Sequence, residues 1–215
     1  MGGQPLNFCC WNRGRAACLA PHLVWICELR PSRKSGNISA VKILETERLV
    51  VRRLVLDDAA FLLELLNEPA FLENIGDRGA RTLADARRYI ARGPVASYRK
   101  FRFGLYLVEL KDSGTPIGIC GLLKRESLED VDIGFAFLRR YWSRGYARES
   151  AAAVMNYGWT TLRLPRIVAI TKPTNQTSIA LLEKLGLRFE KNIALPDHGG
   201  ENKLFAASAP SVLRS

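Results

Sequence analysis

The 215-residue sequence is short of the side chains that announce a metal centre or a nucleophilic relay. It has two histidines, His22 and His198, and each stands alone. Of five cysteines, Cys9, Cys10, Cys18 and Cys27 crowd the first 27 residues and only Cys120 lies elsewhere. A disulfide framework would be spread across a fold, so this distribution argues against one. No Cys-x-x-Cys pair occurs, which removes the usual spacing of a structural zinc site. Cys120 falls in the apolar run Ile117-Gly-Ile-Cys-Gly-Leu-Leu123, where a small buried thiol is expected rather than a catalytic one. No apolar run approaches the roughly 20 residues of a membrane helix. The Gly-x-x-x-x-Gly-Lys-Ser/Thr loop of nucleotide hydrolases is absent, as is the Gly-x-Gly-x-x-Gly of dinucleotide folds.

What is there is ordinary in bulk and uneven in charge. Hydrophobic residues make up 47% of the chain and charged ones 25%, which excludes collagen-like, coiled-coil and wholly disordered classes. Lys and Arg number 32 against 21 Asp and Glu, a formal charge of +11. Such a surplus calls for an anionic partner: nucleic acid, acidic lipid or a phosphate-bearing cofactor. Residues 1–40 show no helical or strand periodicity and carry Arg13, Arg15, Arg30, Arg33 and Lys34 against Glu28. They are expected to form a basic, disordered N-terminal extension, with Pro31-Ser-Arg-Lys-Ser-Gly36 as linker. A targeting segment and an over-long start are the other readings. One domain is expected over 41–209, with a short tail at 210–215.

The pattern becomes regular from Leu44. Arg48–Val55 reads as a strand. Asp57 and Asp58 precede the paired apolar residues of an amphipathic helix that ends near Pro69. Thr82 with Asp85 caps a second helix, which Gly93-Pro94 is expected to stop. Phe103–Leu110 and Pro116–Lys124 form a hairpin across Asp112–Thr115. Val131–Leu138 alternates, placing Asp132, Gly134, Ala136 and Leu138 on one face. A helix over Gly145–Leu162, a strand over Arg166–Thr171, a helix over Asn175–Leu185 closed by Gly186, and strands over Leu187–Ala194 and Lys203–Ser208 complete a mixed α/β domain.

The stretch Tyr141-Trp-Ser-Arg-Gly-Tyr-Ala-Arg148 carries the chemistry. It joins a strand to a helix. Gly145 permits a tight turn and clears space for a ligand. The helix that follows begins with unpaired N–H groups and the positive end of its dipole, a fit for a pyrophosphate, and Arg144 and Arg148 add charge beside it. A plain strand-to-helix turn with a glycine reads equally well from these residues alone.

With its surroundings, however, the loop resembles the GNAT superfamily of acetyl-CoA-dependent N-acetyltransferases, nearest to the branch of the ribosomal-protein acetyltransferases RimJ and RimL. Three segments carry the resemblance in order: the opening Leu44-Glu-Thr-Glu-Arg-Leu-Val-Val-Arg52, the loop Trp142-Ser-Arg-Gly-Tyr-Ala147 in place of Gln/Arg-x-x-Gly-x-Gly/Ala, and Asn175-Gln-Thr-Ser-Ile-Ala-Leu-Leu-Glu-Lys-Leu-Gly-Leu187. It spans about residues 43–208. Arg139-Arg140 departs from the Pro-Glu pair frequent in the family. The resemblance implies a GNAT-like domain with a central, mostly antiparallel twisted sheet of six to seven strands and about four helices.

The resemblance also implies site roles. The pantetheine arm of acetyl-CoA would lie along Ala136, Phe137 and Leu138, in a gap where that strand splays from Arg166–Thr171. The pyrophosphate would rest on the N–H groups of Arg144, Gly145, Tyr146, Ala147 and Arg148. A main-chain N–H near Phe137 would hold the thioester oxygen. Asn175 would bond the arm, and Ser178 would assist the departing thiolate. Capping is the other reading of Asn175 and Ser178. For the general base, Asp132 stands first, because Gly134 and Ala136 on its face leave room for a ligand. Glu73, in the loop after the first helix, and a water chain are the alternatives. The expected activity is acetyl transfer to a primary amine, a protein N-terminus or a small molecule, by direct attack in a ternary complex. A monomer or homodimer in the cytoplasm is expected, with no membrane, metal or nucleic acid. Two competing classes are a catalytically silent acyl-CoA sensor and a basic RNA- or ribosome-binding module. Against the latter, Arg52-Arg53 and Arg139-Arg140 are too scattered to form an interleaved basic and aromatic surface.

Overall fold

The computed structural model describes residues 40–195 and 200–211. The expected extension over 1–40, apart from Ala40, lies outside the described residues, as does most of the tail. Eight strands form one sheet: β1 (Lys42–Glu45), β2 (Leu49–Arg53), β3 (Leu105–Leu110), β4 (Pro116–Leu123), β5 (Val131–Phe137), β6 (Arg166–Thr171), β7 (Arg188–Ala194) and β8 (Glu201–Ser208). Their order is β1-β2-β3-β4-β5-β6-β8-β7. Every neighbouring pair is antiparallel except β5 and β6. The expected mixed fold with a mostly antiparallel sheet is therefore what forms, with one strand more than the upper expectation. The additional strand is β1, four residues long, too short to leave a periodic signal.

The helices are α1 (Ala59–Leu66), α2 (Pro69–Asn74), α3 (Leu83–Ile90), α4 (Ala96–Phe101), α5 (Tyr146–Thr160) and α6 (Gln176–Lys184). Thr82 and Asp85 form the expected capping box at the start of α3. Gly93-Pro94 does not stop the chain there. Residues Ala91–Val95 widen into a π turn, and the helical path continues into α4. Longer-range bonding in a π turn accommodates the N–H that Pro94 lacks. The first helix ends at Leu66, near Pro69 as expected, and Pro69 itself opens α2 as a first-turn proline.

The period-two pattern of β5 separates two cores. Val131, Ile133 and Phe137 pack with Ala151, Val154 and Met155 of α5 and with Ile179 and Leu182 of α6. Leu138 packs on the opposite side with Leu62 and Leu65 of α1 and Ala86 and Ile90 of α3. The sheet is thus covered on both faces, and β5 runs through its middle. Cys120 on β4 is fully buried, and burial pushes its thiol up to about 12, so it is an inert packing residue as its apolar run predicts.

Candidate active site

The site begins where two neighbouring strands part. β5 and β6 pair only at Val131 with Ile167 and Asp132 with Val168. Beyond that, β5 stays with β4 as far as Phe137 and β6 stays with β8 as far as Thr171. A gap opens between them. Leu138 donates its N–H to the Ile117 carbonyl at 3.0 Å, which sets the alternation along β5. Even residues turn their peptide groups to β4, and odd residues, Phe135 and Phe137, turn theirs to the gap. A cavity of about 800 Å³ fills the opening, bounded by β5, β6, α2 and the starts of α5 and α6.

One end of the cavity is the start of α5. Gly145 is its N-cap, with φ at +82°, a conformation that costs most residues about 1 kcal/mol or more and costs glycine nothing. No side chain caps this helix. The carbonyl of Gly145 accepts from Glu149, while the N–H groups of Tyr146, Ala147 and Arg148 have no partner within the helix. The loop is pinned from behind. Arg48 donates Nε to Glu149 at 2.7 Å and Nη1 to the Arg144 carbonyl at 3.2 Å. Thr46 donates its hydroxyl to the same Glu149 at 2.6 Å, and Arg48 lies over the Tyr146 ring. Two polar residues of the opening Leu44–Arg52 segment, Thr46 and Arg48, thus clasp the first turn of α5. The Trp142 indole donates to the Phe137 carbonyl at 2.7 Å, fastening the end of β5 to the loop.

On the opposite wall, Asn175 caps α6 by accepting the Ser178 N–H at 3.0 Å through Oδ1. Its Nδ2 and the Ser178 hydroxyl make no hydrogen bond among the described residues, and both residues line the cavity. At the closed end, Asp132 is 1% exposed. Arg125 donates Nε to its Oδ2 at 2.7 Å, and its Oδ1 is buried without a partner. Burial raises the Asp132 carboxyl to about 6, against the opposing pull of Arg125.

Most of the residues expected at the site are therefore gathered. Asp132, Ala136, Phe137, Gly145, Ala147, Arg148, Asn175 and Ser178 line one cavity. Three others stand back from it. Leu138 is fully buried and its N–H is committed to β4. Arg144 and Tyr146 support the loop through its carbonyl and its ring rather than facing the opening. The room expected beside Asp132 at Gly134 is largely taken, since a side chain there would meet Leu123 at 2.8 Å. Glu73 lies in α2, not in a loop, is exposed, and does not line the cavity. Thr46, Arg48, Glu149 and Arg125 were not singled out by sequence reasoning. For the first two, the opening segment was the available signal.

The family model of the acetyltransferase (GNAT) domain matches residues 48–188. The chain belongs to the GNAT family. This GNAT domain is 29% identical over 160 residues to the uncharacterized N-acetyltransferase p20 of Bacillus licheniformis, covering 74% of this chain and 88% of that protein. Its structure matches a GNAT-family acetyltransferase from Bacillus anthracis with a TM-score of 0.65 and 25% identity, over 77% of this chain and 98% of that one. The ribosomal L7/L12 alpha-N-protein acetyltransferase RimL, solved with coenzyme A, shares the fold with a TM-score of 0.67 at 15% identity, over 78% and 97%. The GNAT chain is an acetyltransferase.

Proposed function

We propose that this enzyme transfers an acetyl group from acetyl-CoA to a primary amine by direct attack in a ternary complex. The observation that carries the reading is the gap between β5 and β6, open at the free N-terminus of α5. The residues fit the donor: the peptide group of Phe135 and the N–H of Phe137, turned to the gap, suit an amide-bearing arm, and uncapped N–H groups beside Arg148 suit a pyrophosphate. Bound acetyl-CoA would supply the activated thioester. The Phe137 N–H holds the thioester oxygen as negative charge develops on it. Asn175 donates Nδ2 to the arm while its Oδ1 keeps α6 capped, so its two roles coexist. Ser178 donates its hydroxyl to the leaving sulfur. Asp132, which lines the same cavity, takes the proton of the ammonium through intervening water. Cytoplasmic action follows from this reading, and among the described residues no helix is long and apolar enough to cross a membrane.

The test is thiol release from acetyl-CoA across a panel of primary amines, with donor affinity measured by calorimetry. Amine-dependent release with saturable donor binding is expected. Tight donor binding with no release on any amine would identify an acyl-CoA sensor instead.

A further inference from the structure

The surplus charge of the domain is gathered on one segment. Residues 77–102 hold eight of the 27 basic side chains in 41–215 but only two of the 20 acidic ones, which leaves 19 against 18 elsewhere. The segment runs from the loop before α3, through the π turn, to the end of α4. Its two carboxylates are spent, Asp77 on Arg81 and Asp85 on Arg88. Arg78, Arg87, Arg92, Arg99, Lys100 and Arg102 are all exposed and make no ion pair among the described residues.

Helical spacing aligns part of this charge. Ala86, Ile90, Pro94 and Tyr98, four apart, are buried. Arg88, Arg92 and Lys100, each two positions beyond a buried residue, fall on the opposite side and face solvent. At about 1.5 Å per residue, the helical path from Leu83 to Phe101 is roughly 27 Å long. Arg78 joins Arg88 and Arg92 around a depression of about 400 Å³. None of these cations lines the cavity between β5 and β6.

We propose that this face docks an RNA duplex through its phosphates, without reading its sequence. A membrane would need a free apolar face to take up. The apolar face of α3 is already in the core, and Leu83 alone of the segment's large apolar residues is exposed. A protein partner would need a desolvated aromatic or aliphatic centre, which is missing for the same reason. Single strands stack their bases on aromatic rings, and Tyr89, Tyr98 and Phe101 are half-buried or buried. B-form DNA is read by a helix laid in its major groove. This helical path is anchored along its length, and the segment has no Asn or Gln for base edges. An RNA duplex has a major groove too narrow for side chains and is met at its phosphates from outside. Arginine, five of the six unpaired cations, binds phosphate oxygens two at a time. Of the basic pairs that stand out in the sequence, Arg52 and Arg140 are held by Asp58 and Glu64. The basic face lies elsewhere, and an RNA partner replaces the expectation of no nucleic acid.

The test titrates the full chain, with and without acetyl-CoA, against a labelled RNA duplex of about 16 base pairs. A DNA duplex of the same sequence, polyglutamate and phosphatidylglycerol vesicles are run beside it at matched salt. The RNA duplex should bind tightest, with affinity falling steeply as salt rises. Arg92→Gln/Arg99→Gln/Lys100→Gln should weaken RNA binding by roughly tenfold or more and flatten the log–log salt slope by about three. The control Arg163→Gln/Arg188→Gln/Lys191→Gln removes the same charge from other exposed positions and should change RNA binding little. Acetyl transfer and melting should match wild type in both. RNA binding unchanged in the first variant, or equally weakened in the second, overturns the proposal. Displacement of RNA by acetyl-CoA overturns it too, by placing the RNA on the α5 loop. Tighter binding of DNA, polyglutamate or vesicles overturns it in favour of that partner.

Discussion

Asp132 shows how burial retunes a carboxylate without removing its partner. Desolvation lifts it to about 6, so the base form is in the minority below that pH and dominates above it. If Asp132 takes the proton, kcat/KM rises through about pH 6. Asp132→Asn should abolish that limb and lower kcat/KM by roughly 10²- to 10⁴-fold. A variant that keeps both the rate and the limb would assign the proton to water. The raised value has a second consequence: the folded protein holds this proton more tightly than the unfolded chain. The resulting stability is present below the ordinary carboxylate range and is lost as pH rises through about 6. Ser178 and Asn175 separate as cleanly. The cap uses the backbone N–H of Ser178, not its hydroxyl. Ser178→Ala should therefore leave melting nearly unchanged and lower kcat by roughly ten- to a hundredfold, about 1.4 to 2.8 kcal/mol. Asn175→Ala should lower stability by about 1 kcal/mol as the cap is lost. Thermal melts and steady-state rates on the two variants check both statements.

At the scale of elements, the start of α5 joins a backbone demand to a binding role. The +82° φ of Gly145 disfavours any side chain, and a Cβ there would sit 3.3 Å from Arg48 Nη2. Gly145→Ala should cost about 1 kcal/mol of stability through strain. Gly145→Glu adds a carboxylate where phosphates are expected, and should weaken acetyl-CoA by a further tenfold or so, about 1.4 kcal/mol. Calorimetry on both variants divides strain from charge. The clasp behind the loop makes a second prediction. Arg48 is largely exposed and Glu149 is not, so Arg48→Ala should change melting little, within about 1 kcal/mol. Donor affinity should fall severalfold, because Tyr146 and the Arg144 carbonyl lose their support. Unchanged affinity would make the clasp decorative. Elements were legible where a local rule acted alone: the Thr82–Asp85 capping box, the hairpin at Asp112–Thr115, and Gly186 after α6. The stop assigned to Gly93-Pro94 failed because Tyr98, packed on Tyr106, holds α4 in place beyond the proline. Tertiary packing there outweighs a local breaker.

For the whole molecule, every strand and both apolar clusters of the described residues are built from Lys42 onward. We expect a chain beginning at Ala40 to fold and transfer acetyl groups as the full chain does. Matching cooperative melts and equal kcat/KM check this, and loss of the cooperative transition would make residues 1–39 part of the folded unit. Much of the net charge falls within the domain, which has 27 basic and 20 acidic residues over 41–215. Arg48, Arg52, Arg140 and Arg166 are paired with carboxylates. A count of charges could not show this, since pairing depends on which elements meet.

The sequence by itself determined the order of β2 to β8 with α1, α3, α5 and α6, the two faces of β5 and the start of α5, but not β1, α2 or α4, because periodicity, capping and a glycine turn act over a few neighbouring residues. It also carried the ordered segments of the GNAT resemblance. Only the tertiary structure decided where β5 leaves β6, that Leu138 faces the core, and that Arg125 pairs with a buried Asp132. Those facts depend on contacts between distant segments. Register fixes which peptide edges go unpaired, and packing against α1 and α3 decides which face of β5 is closed to a ligand.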